Sequence, residues 1–133
     1  MIYLCDTNII SELAKPRPNP GVLAWSSELT AMALSVITLE EILYGLTAKP
    51  NPRIQAWFQN FMKSHCMILP ITADIAQMTG LLRGEFRTKG STRSQADMLI
   101  AATAKVHQLP LATRNVRDFE GCELSVINPF SAE

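Results

Sequence analysis

Four carboxylates, Asp6, Glu41, Asp97 and Asp118, occupy positions from which side chains can do chemistry. Asp6, Glu41 and Asp118 come just after short apolar runs that read as buried strands, and all four lie near a helix start. Open α/β sheets bind ligands outside the carboxyl ends of their strands. Acids far apart in sequence would therefore meet along one edge. Gathered carboxylates repel one another unless a cation sits among them. Oxygen ligands without a histidine cluster point to Mg²⁺ or Mn²⁺. The two histidines, His65 and His107, lack zinc-ligand spacing and read as helix-end surface residues.

Each acid also has a purely structural explanation. Asp6 is a good helix N-cap. Thr38-x-x-Glu41 and Ser94-x-x-Asp97 fit the reciprocal capping box, and Asn115-x-x-Asp118 resembles it. One such cap is worth about 1 kcal/mol. The set is harder to dismiss than its members, because Asp6, Glu41 and Asp118 follow the first, second and fourth strand candidates. Asp97 opens an otherwise apolar helix, so its charge needs a polar partner or a cation. Glu40 competes with Glu41, but neighbours differ by about 100° around a helix and only one faces the site. Glu41 is preferred because Gly45 and Ala48, on its side, leave room for another element.

The elements that must position these groups alternate. Ile2–Cys5 reads as a strand buried on both faces. A short helix follows over 9–14, then a loop at Lys15–Pro20 with three prolines. A helix is expected over 21–29, a strand over 32–37 and a helix over 39–48 capped by Thr38. Leu39, Ile42, Leu43 and Leu46 give that helix its apolar stripe. Ile54, Trp57, Phe58, Phe61 and Met62 mark another helix, and the two helices together suggest an arm. A strand over 66–71 precedes a helix over 72–87. Past the polar loop 89–94, Ser94 caps a helix running to Gln108. A strand over 109–113, a turn over 115–119 and a last strand over 124–127 complete the chain. The pattern predicts a three-layer α/β/α fold with a central, mostly parallel sheet of about five strands.

The 133 residues suit one domain, with 47% hydrophobic and 18% charged residues. The formal net charge is zero, so attraction to nucleic acid would have to come from a local patch. Cys5, Cys66 and Cys122 are odd in number and far apart, and read as free thiols in a reducing compartment. The apolar start is too short for an export signal, and no run approaches the ~20 residues of a membrane span. A cytoplasmic protein is expected, with no membrane partner.

Taken together, Asp6-Thr7-Asn8, Thr38-x-x-Glu41-Ile42-x-x-Gly45, Asp97-x-x-Ile100-Ala101-Ala102-Thr103-Ala104 and Thr113-Arg114-Asn115-x-x-Asp118-Phe119 resemble the PIN-domain family. The ending Val126-Ile127-Asn128-Pro129-Phe130 resembles it too. Within the family the likeness is to VapC/FitB-type toxins of type II toxin–antitoxin modules. The resemblance implies a metal-dependent ribonuclease with Asp6, Glu41, Asp97 and Asp118 around Mg²⁺ or Mn²⁺. Thr7, Thr113 and Asn115 match polar positions that shape the pocket. Many relatives have Asp where this chain has Asn115. The resemblance also implies a homodimer and a cognate VapB/FitA-type antitoxin, whose Arg often enters the acidic cluster. A larger toxin–antitoxin assembly on operator DNA is a further implication.

RNA needs positive charge near the acids. Arg83, Arg87, Lys89 and Arg93 cluster before the Asp97 helix, and Arg114 and Arg117 flank Asp118. These could contact phosphates without reading bases, or could simply be a solvated surface. Trp57, Phe58, Phe61 and Met62, with Leu43 and Leu46, could form the antitoxin groove or ordinary core. Three other readings compete. A haloacid-dehalogenase-like phosphatase needs a second Asp where Asn8 stands. A phosphoacceptor signalling domain needs an acidic pair that Asp6-Thr7 does not supply. A PIN scaffold used only for binding would not need four acids. The RNA cut, be it transfer, ribosomal or messenger, is not encoded in any of these motifs.

Overall fold

The computed structural model describes residues 1–131. Its five strands are β1 (Ile2–Cys5), β2 (Ala31–Ser35), β3 (Cys66–Leu69), β4 (Leu111–Ala112) and β5 (Val126–Ile127). They form one sheet in the order β3-β2-β1-β4-β5, and every pairing is parallel. The helices are α1 (Thr7–Leu13), α2 (Pro20–Ser27), α3 (Val36–Ala48), α4 (Pro52–Ser64), α5 (Ala73–Thr88) and α6 (Gln95–His107). A 3₁₀ turn covers Val116–Phe119.

Successive strand residues point to opposite faces, which builds two cores. Leu4, Ala33 and Leu111 face α5 and α6, meeting Ile75, Met98 and Ala101. Cys5, Met32, Leu34 and Ala112 face the other way, against Ile9 and Ile10 of α1 and Phe58 and Phe61 of α4. This is the expected three-layer arrangement. The chain winds outward from β1 to β3, then returns to place β4 on the other side of β1. The carboxyl ends of β1 and β4 therefore flank the switch point, where such sheets hold ligands.

Several local expectations are corrected. α1 starts at Thr7 rather than Ile9, because Asp6 holds an extended backbone and accepts the Thr7 N–H at 2.8 Å. β2 ends at Ser35, and Ser35, not Thr38, caps α3 by accepting the Ile37 N–H at 3.0 Å. Thr38 thus lies inside the helix, fully buried, and the Thr38–Glu41 capping box does not form. Asn115 provides no side-chain cap for the 3₁₀ turn. Ser94 does cap α6, accepting the Asp97 N–H at 3.1 Å.

The apolar stripe of α3 is only partly covered. Leu43 is 46% exposed, and an ideal Cβ built on Gly45 meets nothing within 4 Å, so no element approaches there. α3 therefore leaves the core toward its end, while α4 returns to the sheet through Phe58 and Phe61. His65 and His107 are exposed at the ends of α4 and α6, as expected. All three cysteines are free, and burial pushes their thiols above the ordinary range. Among the described residues no helix is long and apolar enough to cross a membrane.

Candidate active site

The site begins with the β1–β4 ladder. The Asp6 N–H donates to the Ala112 carbonyl at 2.9 Å, one step past the strand, and the Thr113 N–H donates to the Ile127 carbonyl at 3.0 Å. These bonds set Asp6 and Thr113 side by side at the carboxyl edge. Thr113 then donates its hydroxyl to Asp6 Oδ2 at 2.8 Å. Asn8, the second residue of α1, donates to the same Oδ2 at 3.3 Å and to Thr113 Oγ1 at 3.3 Å. The Asn115 N–H also donates to Thr113 Oγ1, at 3.0 Å. Asp6 is 6% exposed and held at both oxygens.

Glu41 joins through Thr7. The Thr7 hydroxyl donates to Glu41 Oε1 at 2.7 Å and lies 3.2 Å from the buried hydroxyl of Thr38. Thr38 sits one turn before Glu41 on α3, so it fixes Thr7, and Thr7 fixes Glu41. Glu40 points elsewhere, into an apolar groove with Leu39, Leu43 and Tyr44. Glu41 lines the acidic cleft and Glu40 does not, while no element approaches Gly45.

Asp6, Thr7, Asn8, Glu41, Asp97 and Asn115 line one open cleft of about 460 Å³. Ser11, Glu12, Lys15, Arg114 and Phe130 complete its wall. Burial pushes the Asp6 carboxyl above the ordinary carboxylate range, the Thr113 and Thr7 donors oppose that, and the Glu41 charge adds to it. Burial likewise raises Asp97, with further increments from the Asp6 and Asp118 charges, while Ser94 and Arg93 pull it back. Asp97 therefore senses both acids, although Asp118 is exposed and does not line the cleft itself.

The donor chemistry fits a hard divalent ion, because the cleft's acids offer oxygen and two of them, Asp6 and Asp97, are raised by burial and by neighbouring carboxylate charge. No three His, Cys, Asp or Glu side chains among the described residues stand close enough to enclose an ion unaided. A divalent ion that keeps several waters needs only one or two of these carboxylates directly.

The basic residues separate into groups. Arg114 lines the cleft. Arg83, Arg87, Lys89 and Arg117 are exposed and do not line it. Arg93 is committed elsewhere: it donates to the carbonyls of Asp118 at 3.1 Å and Glu120 at 2.8 Å, and its guanidinium lies 3.9 Å from the Phe86 ring centroid. It braces the turn that carries Asp118. Sequence reasoning placed Asn8 and Thr38 in motifs but not in the site. The signals are Asn8 two residues beyond Asp6 and Thr38 one turn before Glu41.

The apolar surface expected for a partner is divided. Trp57 and Phe61 stack at 5.0 Å and line a groove of about 270 Å³ with Leu13, Leu29 and His65. Phe58 is core, and Leu43 belongs to the separate groove on α3.

The family model described as PIN domain matches residues 3–121. The chain is 37% identical to a VapC ribonuclease of Sinorhizobium fredii, covering 98% of each chain. It is 33% identical to toxin FitB of Neisseria gonorrhoeae, over 97% of this chain and 99% of that one. Among solved structures it superposes on FitAcB from Neisseria gonorrhoeae with a TM-score of 0.82, at 34% identity, over 97% of this chain and 98% of that chain. VapBC2 from Rickettsia felis, bound to a DNA fragment from its promoter, gives a TM-score of 0.82 at 28% identity, over 96% and 98% of the two chains. With a parallel sheet that delivers acids to its switch point and relatives matched along nearly its whole length, the chain belongs to the PIN-domain family, among its VapC and FitB members.

Proposed function

We propose that this protein is the toxin of a toxin–antitoxin pair, a divalent-metal-dependent endoribonuclease whose acidic cleft cuts RNA phosphodiester bonds. The observation that carries the reading is the hydrogen-bonded corner of Asp6, Thr113, Asn8, Thr7 and Glu41, with Asp97 in the same cleft. The ribonuclease and toxin names of the relatives support it. The phosphatase and phosphoacceptor readings find no support, because Asn8 is occupied in orienting Asp6 and Thr113.

Asp6, Glu41 and Asp97 are assigned to hold Mg²⁺ or Mn²⁺, and Asp118 to assist once substrate is in place. Such an ion, when bound, supplies charge neutralisation for the phosphodiester and a more acidic water. The chain's own residues provide order. Thr113, Asn8 and the Thr7 N–H fix the Asp6 carboxylate in one orientation. Thr7, steadied by Thr38, holds one oxygen of Glu41 and leaves the other free. Asn115 supports the corner through its backbone contact with Thr113. Arg114, on the rim, offers positive charge to RNA phosphates. Arg83, Arg87, Lys89 and Arg117 would at most guide a longer RNA toward the cleft.

Sequencing of RNA 5′ ends after brief induction tests both activity and target. Cuts made by the wild type and lost in Asp6→Asn support the reading. Identical 5′ ends in both, from proteins of equal abundance, contradict it.

The relatives' structures include FitAB and VapBC complexes, some with DNA. By that likeness this chain is assigned a cognate antitoxin, a homodimeric state, a place in an operator-bound assembly and a cytoplasmic location. The Trp57–Phe61 groove is assigned to the antitoxin, because it presents Trp57, Phe61, Leu13 and Leu29 together beside polar Asn60 and His65. Mass measurement of the protein alone and co-expressed with a candidate VapB/FitA-type antitoxin checks this. Failure of the pair to co-purify, with both proteins folded, contradicts it.

A further inference from the structure

The last described residues fold back across the molecule. Asn19 grips Ser131 three ways: its Nδ2 donates to the Ser131 carbonyl at 3.1 Å, and its Oδ1 accepts from the Ser131 N–H at 2.9 Å and hydroxyl at 3.1 Å. Gly21 makes room for this strap, since a Cβ there would stand 2.5 Å from Ser131 N and 2.6 Å from Pro129 O. Asn128 Oδ1 accepts the Phe130 N–H at 3.0 Å. Anchored on both sides, Phe130 is half-buried at the rim of the acidic cleft.

Arg114 completes the arrangement. Its guanidinium lies 4.7 Å from the Phe130 ring centroid, and its backbone N–H donates to Asn8 Oδ1 at 3.0 Å. Arg114 makes no ion pair within 4 Å among the described residues, although Glu12 in the same cleft feels its charge. An exposed arginine packed against an aromatic ring and tied through Asn8 to the Asp6 corner is preorganised toward something outside the protein. Both residues line the same cleft as Asp6, Glu41 and Asp97.

We propose that Phe130 and Arg114 form a nucleotide subsite for single-stranded RNA beside the cleavage position. Arg114 takes a phosphate on its guanidinium edge and stacks the neighbouring base on its outer face. Phe130 is a positioning residue that keeps the guanidinium in that plane. The inference rests on the ribonuclease reading and extends it to substrate contact. The subsite carries affinity rather than the chemical step, so its loss raises KM with little change in kcat.

The test uses the full-length Asp97→Asn protein, to prevent cleavage, and a fluorescent single-stranded RNA oligonucleotide read by anisotropy at fixed salt. Arg114→Ala and Phe130→Leu should each weaken binding about five- to tenfold. The double variant should be little worse than Arg114→Ala alone, because Phe130 acts through Arg114. Phe130→Tyr should restore binding. Arg114→Lys keeps the charge and loses the planar stack, so it should also bind weakly, and it leaves the core untouched should Phe130→Leu fold poorly. Wild-type affinity in both Phe130→Leu and Arg114→Lys, or losses that multiply in the double variant, would overturn the subsite. Absence of RNA binding and of cleavage in the wild type would instead sink the ribonuclease reading, and the subsite with it.

Discussion

The two acids that follow β1 and β4 are held in opposite ways. Asp6 is 6% exposed, with side-chain or backbone donors on both carboxylate oxygens. Asp118 is exposed, and its turn is gripped only through the main chain, by Arg93 on the Asp118 and Glu120 carbonyls and by the buried Phe119 ring. One region fixes a carboxylate; the other fixes a backbone and leaves the carboxylate free. On the proposed reading, the difference separates a group preset for an ion from one able to adjust when substrate arrives. It also shows that arginines of similar sequence context do unlike work: Arg114 is free on the cleft rim, whereas Arg93 is consumed in bracing a turn.

The largest effect should come from the fixed corner. Asp6→Asn removes a charge from the ion's shell and should lower RNA cleavage by about a thousandfold, because metal assistance is worth several kcal/mol. Single-turnover cleavage of a target RNA measures it, with circular dichroism confirming the fold. Thr7→Val should come next. It frees Glu41 and strands the Thr38 hydroxyl, and loss of such an outer contact should weaken Mn²⁺ binding about tenfold by calorimetry. A Thr7→Ser protein should keep most of the affinity.

The exposed turn makes a sharper demand. Arg93→Ala should lower cleavage in the wild-type background and add little in an Asp118→Asn background, since Arg93 acts by placing Asp118. Full additivity of the two losses would mean that Arg93 touches RNA directly. Arg87→Ala, outside the cleft, should change cleavage of a short RNA by less than twofold, with only a small effect on the salt slope for long RNA.

The smallest effect concerns pH and the metal-free protein. Asp6 and Asp97 carry carboxyls raised above the ordinary range, chiefly by burial. A raised carboxyl favours the folded state while protonated. That contribution is complete below about pH 4, the unfolded value, and is lost as pH rises through the higher folded value. In chelator, thermal stability should therefore fall across this window in the wild type and fall less in Asp6→Asn. Added Mn²⁺ should stabilise more as pH rises, because the ion needs the deprotonated acids.

Much of this was legible from local pattern. The apolar runs fixed the strand order in sequence, and the acids after them pointed to one sheet edge. That only one of Glu40 and Glu41 could face the site followed from the 100° step of a helix; the choice of Glu41 rested on room at Gly45, where nothing approaches. What was not legible depended on neighbours distant in the chain. Thr38 looked like a helix cap because threonine commonly is one, but Ser35 took that place and left Thr38 to steady Thr7. Arg93 looked like part of a basic surface, because sequence does not show carbonyls 25 and 27 residues away. Leu43 fitted a core stripe by spacing, yet α3 runs past the sheet there. Phe130 stood in a recognisable ending whose purpose depended on where Asn19 tied it.

Mn²⁺ anomalous difference density in crystals of the wild-type protein tests the shared-ion site most directly. A single strong peak within coordinating distance of the Asp6 and Asp97 carboxylates, and lost in Asp6→Asn, is the predicted result. A peak remote from Asp6, or one that survives unchanged in Asp6→Asn, would contradict it.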